Sequence, residues 1–203
     1  MQKPDIPRKT VYRLSIYQRC LQHLKSTGTT TVSSAALSKA AGVKPAQLRK
    51  DLAHFGQFGT RGLGYSVDGL SAQLTEVLGT ARLQPVILVG TGNLGSALLH
   101  YGGFNKEGFE ITAAFDLHPG RVHGRVPVLP ISEMKDFIVR HTVKMAILAI
   151  PAHAAQGVVN ILVTAGVQAI LNFAPTFLDV PEGVWVNNVD LAVELENLSY
   201  FIR

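Results

Sequence analysis

Hydrophobic residues in the first third of the chain recur every three or four positions, which is the spacing of one face of a helix. The pattern predicts a helix over 10–25 and a short second helix that follows Ser33 or Ser34 and ends at Gly42. A third helix is predicted to begin at Pro45, because proline is tolerated where no backbone N–H is needed. Two helices joined by a short turn with glycine are typical of a helix-turn-helix unit. The predicted buried stripe of the third helix is Leu48, Leu52 and Phe55.

Glycine alternates with aromatic and basic residues between Phe55 and Tyr65. This composition predicts a tight β-ribbon, since glycine permits positive φ and a close approach of two backbone segments. A fourth helix is predicted to start with Asp68 as its cap, and the stretch 79–84 is predicted to be a linker. The first domain is therefore predicted to cover residues 1–80, with the architecture of a winged helix-turn-helix.

Beyond residue 80 the pattern changes to short apolar runs that alternate with helical segments. Continuous apolar strands between helices are typical of a doubly wound α/β sheet, so a Rossmann domain is predicted over 81–189. The final segment, 190–203, is amphipathic, and its apolar face is predicted either to cap its own sheet or to pack on a partner subunit. Strands are predicted over 85–90, 110–116, 143–150, 167–174 and 185–189, with helices up to His100 and over 132–141 and 152–165.

Composition narrows the class of protein. The chain has 203 residues, of which 47% are hydrophobic and 16% are charged, and this excludes an intrinsically disordered chain. A single cysteine, Cys20, excludes an intrachain disulfide and a thiolate metal cluster, and no histidine or carboxylate cluster has the spacing of a metal site. The longest strongly apolar run, 145–150, is too short to span a membrane, so we expect a soluble, cytoplasmic protein with no membrane partner.

Positive charge is concentrated in the first domain. The whole chain has a formal net charge of +5, whereas residues 1–80 hold eleven basic and four acidic side chains, a net charge of +7. The other 123 residues hold eight basic and ten acidic side chains, a net charge of −2. This asymmetry favours an anionic partner for the first domain, and the alternative is a solvated basic face without a ligand.

Polar and basic residues lie on the face of the third helix opposite its buried stripe. Glutamine, arginine and lysine can bond base edges or phosphates when a helix enters the major groove of double-stranded DNA. An arginine at the tip of the predicted wing can enter a narrow minor groove. The alternative is a solvent-facing helix edge in a bundle that contacts proteins. The predicted DNA-binding residues are Lys44, Gln47, Arg49, Lys50 and Arg61.

The first strand of the second domain runs directly into a glycine loop. Gly90 is predicted to make the tight turn, Gly92 to let the backbone approach a pyrophosphate, and Gly95 to let the helix lie close to the strand. Asp116 ends the second strand 21 residues after Gly95, where an acid is expected to accept the hydroxyls of an adenosine ribose. Because an acid there repels a 2′-phosphate, NAD(H) is predicted over NADP(H). The predicted cofactor-binding loop is Gly90, Thr91, Gly92, Asn93, Leu94 and Gly95.

Two later strands also contribute candidate residues. Ligands of doubly wound sheets bind beyond the carboxyl ends of the strands. By this rule, Pro151, Asn172 and Ala174 are predicted to form the nicotinamide side of the site. The alternative is that the prolines after these strands simply end them.

Six segments of the chain resemble motifs of the Rex family of redox-sensing transcriptional repressors, in the order in which that family carries them. The resemblance implies a homodimer whose winged-helix domains bind a palindromic operator, whose Rossmann domain binds NAD(H), and whose C-terminal helix packs against the partner. It also implies that NADH releases the DNA and that NAD+ permits binding. The segments are Gln47-Leu-Arg-Lys-Asp-Leu, Phe55-Gly, Gly59-Thr-Arg-Gly-Leu-Gly-Tyr65, Gly90-Thr-Gly-Asn-Leu-Gly95, Ile170-Leu-Asn-Phe-Ala-Pro175 and Asn188-Val-Asp190.

The same resemblance implies a redox switch made of Arg19, Tyr101 and Asp190. Oxidised nicotinamide carries a positive charge and reduced nicotinamide does not, so a network with one carboxylate and one guanidinium can respond to the difference. Three positions depart from the family pattern, and we expect them to alter the sensitivity to NADH. They are His54, His153 and Leu191.

Two other functions fit parts of the sequence. The first is an NAD-dependent oxidoreductase with an N-terminal helical arm, but general acid or base machinery and a second domain for a substrate cleft are not evident. The second is a DNA-binding regulator whose Rossmann domain reads another nucleotide, such as coenzyme A. The sequence favours the redox-sensing repressor, which is not an enzyme, and ligand competition distinguishes the two regulators.

Overall fold

Helices form most of the first of the two units into which the chain divides, Met1–Arg82 and Leu83–Arg203. The structure, a computed structural model, describes residues 6–56, 58–59, 63–119 and 125–202. Two short strands of the first unit, β1 (Thr31–Val32) and β2 (Tyr65–Ser66), pair antiparallel. The helices of this unit are α1 (Arg8–Ser26), α2 (Ser34–Ala40), α3 (Pro45–Ala53) and α4 (Val67–Leu78).

Local capping sets the ends of α2 and α3. The Ser33 hydroxyl accepts a hydrogen bond from the Ala36 N–H at 3.0 Å and so caps the start of α2. Gly42 takes a φ of 67°, which a side chain would strain, and turns the chain from α2 towards α3. Pro45 begins α3. The predicted helix-turn-helix arrangement is confirmed.

The apolar faces of the four helices form one core. Its leucines are almost fully buried, and each contributes about 2 kcal/mol through removal of apolar surface from water. Leu52 lies in this core as predicted, whereas Phe55 follows the end of α3 and is half-buried against the core. The largest fully buried side chains of the unit are Leu14, Tyr17, Leu21, Leu37, Leu48 and Leu74.

One local prediction for the first unit was wrong, and another falls partly outside the described residues. The β-ribbon predicted over 55–65 includes residues 57 and 60–62, which the structure does not describe, and among the described residues β2 pairs with β1, which lies upstream of α2. Strands of two residues are too short to show the alternation of apolar and polar residues from which a strand is predicted. The cap of α4 is Ser66, whose hydroxyl accepts from the Gly69 N–H at 3.2 Å. Asp68 lies in the first turn instead, where a negative charge is favourable to the helix dipole.

The second unit is built on a parallel sheet with the strand order β5-β4-β3-β6-β7-β8. This is the doubly wound order, which confirms the predicted Rossmann architecture. The strands are β3 (Gln84–Val89), β4 (Phe109–Asp116), β5 (Val128–Pro130), β6 (Met145–Leu148), β7 (Ala169–Asn172) and β8 (Trp185–Asn188). The helices are α5 (Asn93–Leu99), α6 (Gly103–Lys106), α7 (Met134–His141), α8 (Ala152–Thr164) and α9 (Leu191–Ser199), with 3₁₀ turns at Ile131–Glu133 and Tyr200–Ile202.

The order of the strands fixes the place of a ligand site. The chain winds from β3 through β4 to β5 and then returns to place β6 on the other side of β3. The loops after β3 and β6 therefore lead away in opposite directions and open a crevice at the carboxyl ends of the strands. Both faces of the sheet are covered, because Ile87 and Val89 are buried in one core and Val86 and Leu88 in another.

The sequence predicted the middle of these elements better than their ends. The strands predicted over 143–150 and 167–174 are each four residues long, and their remaining residues form loops at the two ends of the sheet. The helix predicted over 132–141 begins with a 3₁₀ turn. Neither α6 nor β5 was predicted, since elements of four and three residues show no periodicity.

α9 and the turn that follows it leave their apolar side chains exposed. None of the residues of α9 is buried in the single chain, so the helix does not cap its own sheet. No helix in the described ranges is both long enough and apolar enough to cross a bilayer. The side chains of Leu191, Leu195, Leu198, Tyr200, Phe201 and Ile202 are 62% to 85% exposed.

Candidate functional site

The glycine loop follows β3 at the crevice, and each predicted glycine has its own geometric reason. Gly90 has a φ of 93°, and a Cβ there would collide with the carbonyl oxygen of Ala149 just after β6. A Cβ on Gly95 would collide with the carbonyl oxygen of Gly90, so α5 begins directly against the turn. Apart from its two chain neighbours, no residue has an atom within 4 Å of the Cβ position of Gly92, and this side of the loop is open to a ligand.

Asp116 ends β4 beside the glycine loop and holds the loop in place. Its Oδ2 accepts hydrogen bonds from the Thr91 N–H at 2.7 Å and the Thr91 hydroxyl at 2.8 Å, and its Oδ1 accepts from the His118 N–H at 3.0 Å. Burial on its own raises the pKa of this carboxyl, but the hydrogen bonds from His118 and Thr91 outweigh it and lower the pKa below its ordinary value. Asp116 is therefore ionised at neutral pH and acts only as a hydrogen-bond acceptor.

A cavity of about 570 Å³ opens at the carboxyl ends of β3, β4 and β6. Its volume is in the range of cofactor and ligand pockets, about 300–1,000 Å³, and its walls are mostly apolar. Among the described residues that line it, Asp116 and His153 are the ionisable ones. The lining consists of Gly90, Gly92, Phe115, Asp116, Leu117, Ile131, Ala149, Ile150, Pro151, His153, Ala154, Gly157, Val158 and Ile161.

The predicted cofactor residues divide into those that line this cavity and those that support it. The lining residues are Gly90, Gly92, Asp116 and Pro151. Thr91 bonds Asp116, and Asn93, Leu94 and Gly95 form the first turn of α5. Asn172 and Ala174 are buried and are not part of the lining.

Asn172 ends β7 and uses its buried amide to hold the loop that follows. Nδ2 donates to the carbonyl oxygens of Ala174 and Thr176, both at 3.1 Å, and to Oδ1 of Asn188 at 2.9 Å. Its own Oδ1 accepts from the Ala174 N–H at 2.9 Å. Because these bonds engage the amide, Asn172 supports the loop that follows β7 from behind, and its place on the nicotinamide side of the site stays a prediction.

The basic residues predicted to read DNA lie on or next to α3. Lys44 is at the N-cap and Lys50 is in the last turn, and both are exposed. Arg49 is also exposed, and its Nη1 donates to the Ser34 hydroxyl at 3.2 Å, which links α3 to the start of α2. Arg61 lies outside the described residues.

A buried carboxylate, Asp51, joins α3 to α1, and the sequence analysis did not single it out. Asp51 is 1% exposed, and Arg13 donates to both of its oxygens, from Nε to Oδ2 at 2.5 Å and from Nη2 to Oδ1 at 2.6 Å. The Tyr17 hydroxyl donates to Oδ2 at 2.7 Å, and Nε2 of Gln47 donates to Oδ1 at 2.8 Å. The available signal was position: Asp51 falls three residues after Leu48, on the buried stripe, where an acid requires a partner.

These hydrogen bonds keep Asp51 ionised in spite of its burial. Burial raises the pKa of the carboxyl, but the bonds from Arg13, Tyr17 and Gln47 lower it to about 2. The pKa of Tyr17 is raised, first by burial and then by its bond to Asp51. A buried charge with this many donors is stable as a network, and removal of one partner leaves the others unpaired.

Comparisons with known proteins follow the same division of the chain. Residues 5–53 match a family model described as "Putative DNA-binding protein N-terminus", and residues 82–176 match one described as "CoA binding domain". A protein of Desulforamulus reducens named "Redox-sensing transcriptional repressor Rex" is 45% identical over 203 residues, which cover 98% of this chain and 97% of that protein. The chain belongs to the Rex family of redox-sensing transcriptional repressors.

Solved structures of the Rex-family repressor RSP have the same fold. The crystal structure of RSP with NAD+ and operator DNA matches with a TM-score of 0.92 and 38% identity, over 98% of this chain and 94% of that one. The crystal structure of RSP with NADH matches with a TM-score of 0.88 and 36% identity, over 98% of this chain and 95% of that one. The predicted fold class, a winged helix-turn-helix followed by a Rossmann domain, is confirmed.

The three residues that the Rex resemblance assigns to a redox switch lie on separate elements. Arg19 is exposed on α1 of the first unit. Tyr101 follows α5 in the second unit, is 57% exposed, and meets the Phe104 ring edge-on with 5.0 Å between centroids. Asp190 caps α9, where its Oδ1 accepts from the Ala192 N–H at 2.9 Å. All three side chains are on the surface of their units, where an exchange of partners needs no repacking of a core.

The three departures from the Rex pattern lie in different surroundings. His54 ends α3, with its ring towards the edge of Phe55. Leu191 begins α9 and is 63% exposed. His153 lines the cavity, so it is the departure placed to meet a ligand there directly.

Proposed function

We propose that this chain is a homodimeric transcriptional repressor that binds a palindromic operator and leaves it when NADH occupies the second unit. The observation that supports this proposal is the combination of two features in one chain. The helix-turn-helix unit is strongly positive, and the second unit has an open glycine loop beside the ionised Asp116. Each half is common by itself, whereas relatives named as Rex repressors match the combination from end to end. The chain acts as a regulator and not as an enzyme, and its place of action is the cytoplasm.

The second domain, residues 81–189, binds NAD(H) in this proposal. The open side of Gly92 gives the pyrophosphate access to the backbone, and the part of the cavity beside Asp116 takes the adenosine half. Asp116 accepts the ribose hydroxyls and, being ionised, repels a 2′-phosphate, which favours NAD(H) over NADP(H). The loop residues Thr91, Asn93, Leu94 and Gly95 set the geometry, and Pro151, backed by Asn172 and Ala174, forms the nicotinamide side.

The first domain, residues 1–80, places α3 in the major groove. The exposed side chains of Lys44, Arg49 and Lys50 provide positive charge and donors for phosphates and base edges. Gln47 is a base-reading residue of the same helix, and Arg61 contacts the minor groove or a phosphate.

The dimer is held by the C-terminal segment 190–203. The exposed apolar side chains of α9 and its 3₁₀ turn are unfavourable in water, and a second copy of the chain covers them in a symmetric interface. Two arrangements of this dimer exchange. In one of them the two recognition helices are spaced to enter successive major grooves, roughly 34–36 Å apart.

The switch depends on one unit of charge. When bound, the cofactor supplies a positive nicotinamide in its oxidised form and a neutral one in its reduced form. Asp190 accepts hydrogen bonds from its own helix in this structure and is exposed, so it exchanges this role for a bond to Arg19 or other partners as the local charge changes. Tyr101 supports the same network. NADH then favours the dimer arrangement that does not fit the operator.

Fluorescence anisotropy tests this proposal with a labelled inverted-repeat operator at fixed salt. We expect NADH to release the DNA at concentrations where NAD+ has no effect. Binding that neither nucleotide changes would leave the DNA-binding role and contradict the redox sensing. No binding at low salt, where phosphate contacts are strongest, would contradict the repressor role and favour an NAD-dependent oxidoreductase.

Coenzyme A is the second candidate ligand, because residues 82–176 match a family model described as a CoA binding domain. A competition experiment separates the two ligands. If the chain reads NADH, coenzyme A at equal concentration leaves both NADH binding and operator binding unchanged. Release of the operator by coenzyme A alone would reverse the assignment.

A further inference from the structure

Gln47 differs from its basic neighbours on α3 because it is held by the protein. Its side chain is half-buried, and Nε2 donates to Oδ1 of Asp51 at 2.8 Å, one helical turn further along α3. Asp51 in turn is fastened to α1 by Arg13 and Tyr17. The amide of Gln47 is thus anchored, through Asp51, to a second helix of the domain.

The chemistry of Asp51 decides which end of the Gln47 amide faces it. An ionised carboxylate only accepts hydrogen bonds, so the NH₂ group must face Asp51 and the carbonyl oxygen Oε1 must lie on the other side of the amide carbon. One of the two N–H groups of Nε2 bonds Asp51, and the same bond fixes the direction of the second N–H, so the positions of donor and acceptor cannot be exchanged. Within the described ranges Oε1 of Gln47 accepts no hydrogen bond. A rotation of the amide by 180° would place two acceptors against each other, which a buried charge does not tolerate.

We propose that Asp51 is a positioning residue that fixes Oε1 of Gln47 as an acceptor towards the DNA, so that Gln47 selects a base with an exocyclic amino group in the major groove. This inference rests on the proposed function, since it needs α3 to lie in that groove. The bases with such a group are adenine, through N6, and cytosine, through N4, whereas guanine and thymine present acceptors there. A glutamine whose amide rotates freely could accept from adenine or cytosine, and it could equally donate to guanine or thymine.

The fixed position of Oε1 predicts which bases the operator must have at the position that Gln47 contacts. At one position of each half-site, adenine and cytosine on the same strand place their amino groups alike, so their exchange keeps the contact. Inversion of the base pair replaces the amino group by a keto oxygen and sets it against Oε1. We expect inversion to weaken binding roughly five- to hundredfold, which is the usual effect of a lost base contact.

A double-stranded library with two randomised half-sites tests this demand. The full-length chain selects its preferred inverted repeat from the library, and affinities are then measured for every single base-pair change in that repeat. Gln47→Ala identifies the position that Gln47 reads, because the preference is lost there and kept elsewhere. We expect the wild-type chain to require adenine or cytosine at that position. A requirement for guanine or thymine would overturn the inference even if no Asp51 variant folds.

Asp51→Asn tests the positioning role itself. An asparagine has both a donor and an acceptor, so the Gln47 amide is free to take either orientation, and the preference between amino and keto bases is expected to relax at the same position. Gln18→Ala is the matched control, because Gln18 is also a buried polar residue of the α1 interface but bonds Ser71 and Thr75 of α4. This control is expected to lower stability and keep the preference.

The outcomes separate the inference from the function on which it rests. A folded Asp51→Asn chain with unchanged discrimination, or a Gln47→Ala chain with all preferences intact, would overturn the positioning role while operator binding stands. If the wild-type chain enriches no sequence from the library, the proposed function fails, and the inference fails with it.

Discussion

The two units of the chain bury polar side chains in different places. Among the described residues, Thr10, Gln18 and Asp51 of the first unit bond from one helix to another, whereas the second unit buries Asn172 at the carboxyl end of a strand. Parallel strands are held in register by backbone hydrogen bonds, so they need side-chain bonds only where the strands stop. Helices have no such bonds to one another, and side-chain networks fix their relative positions. The buried polar residues of the first unit are Thr10, Gln18, Ser38 and Asp51.

This difference explains how each unit builds a binding surface. In the second unit a cavity lies at the carboxyl ends of the strands, and the polar side chains there hold the loops that follow the strands. In the first unit the proposed DNA-reading surface is a single helix, α3, so the angle of that surface depends on the bonds that hold α3 to its neighbours. Asp51 contributes both to the stability of the first unit and to the presentation of α3.

The largest effect that the comparison predicts is the loss of Asp51. Asp51→Ala leaves Arg13 and Tyr17 without their buried acceptor, and we expect the free energy of unfolding of the first unit to fall by about 3–5 kcal/mol. Urea unfolding measures this fall, and NADH affinity of the second unit is expected to stay unchanged. Asp68→Ala is the matched control, because Asp68 pairs with Lys25 at 2.7 Å in an exposed bridge worth less than about 1 kcal/mol. Similar losses in the two variants would contradict the special role of the buried network.

The second largest effect concerns the glycine loop. Apart from its two neighbours in the chain, no protein atom lies within 4 Å of a Cβ placed at Gly92, so we expect a valine there to leave the fold intact while its side chain occupies the approach to the pyrophosphate. We expect Gly92→Val to weaken NADH binding on the order of 100-fold, with operator binding and the melting temperature nearly unchanged. NADH fluorescence titration checks the affinity. Retained NADH binding would show that the ligand does not use the glycine loop.

Acid is expected to weaken the first unit through Asp51. Its pKa is about 2 in the folded chain and near 3.9 in an unfolded one, so its ionised form stabilises the fold above pH 4, and this contribution is lost as the pH falls towards 2. The contribution is about 2 kcal/mol. Urea unfolding between pH 6 and pH 2 should show the difference between wild type and Asp51→Asn shrinking over the last two pH units. A constant difference across this range would contradict the assignment.

The smallest effect is expected for a basic residue on the surface of α3. Lys50→Ala removes one exposed positive charge, so operator affinity should fall about fivefold. The slope of the logarithm of the binding constant against the logarithm of the salt concentration should become shallower by about one. NADH affinity should not change. Anisotropy titrations at several salt concentrations measure both quantities, and an unchanged salt slope would show that Lys50 does not contact a phosphate.

Local signals in the sequence were sufficient for the glycine loop. Gly90, Gly92 and Gly95 act within one stretch of six residues, and Asp116 ends the next strand at the expected distance. The helix-turn-helix was equally accessible, since Ser33 and Pro45 mark helix starts by their own chemistry. These features depend on short-range geometry, which spacing in the sequence reports directly.

Contacts between distant segments were not accessible in this way. The bonds of Asp51 to Arg13 and Tyr17 span 38 and 34 residues, and nothing in the spacing of these residues indicates that they meet. Gln47 was predicted to bind DNA, but its hydrogen bond to Asp51 was not predicted. The pairing of β2 with β1 was missed for the same reason.

The central claim is that the two units are coupled, so that NADH on one and operator on the other exclude each other. The most direct test is the affinity of the full-length chain for NADH, measured by titration with and without saturating operator DNA. We expect the operator to weaken NADH binding by the same factor by which NADH weakens operator binding, typically about 5–150-fold. Equal NADH affinity in the presence and absence of the operator would contradict the account.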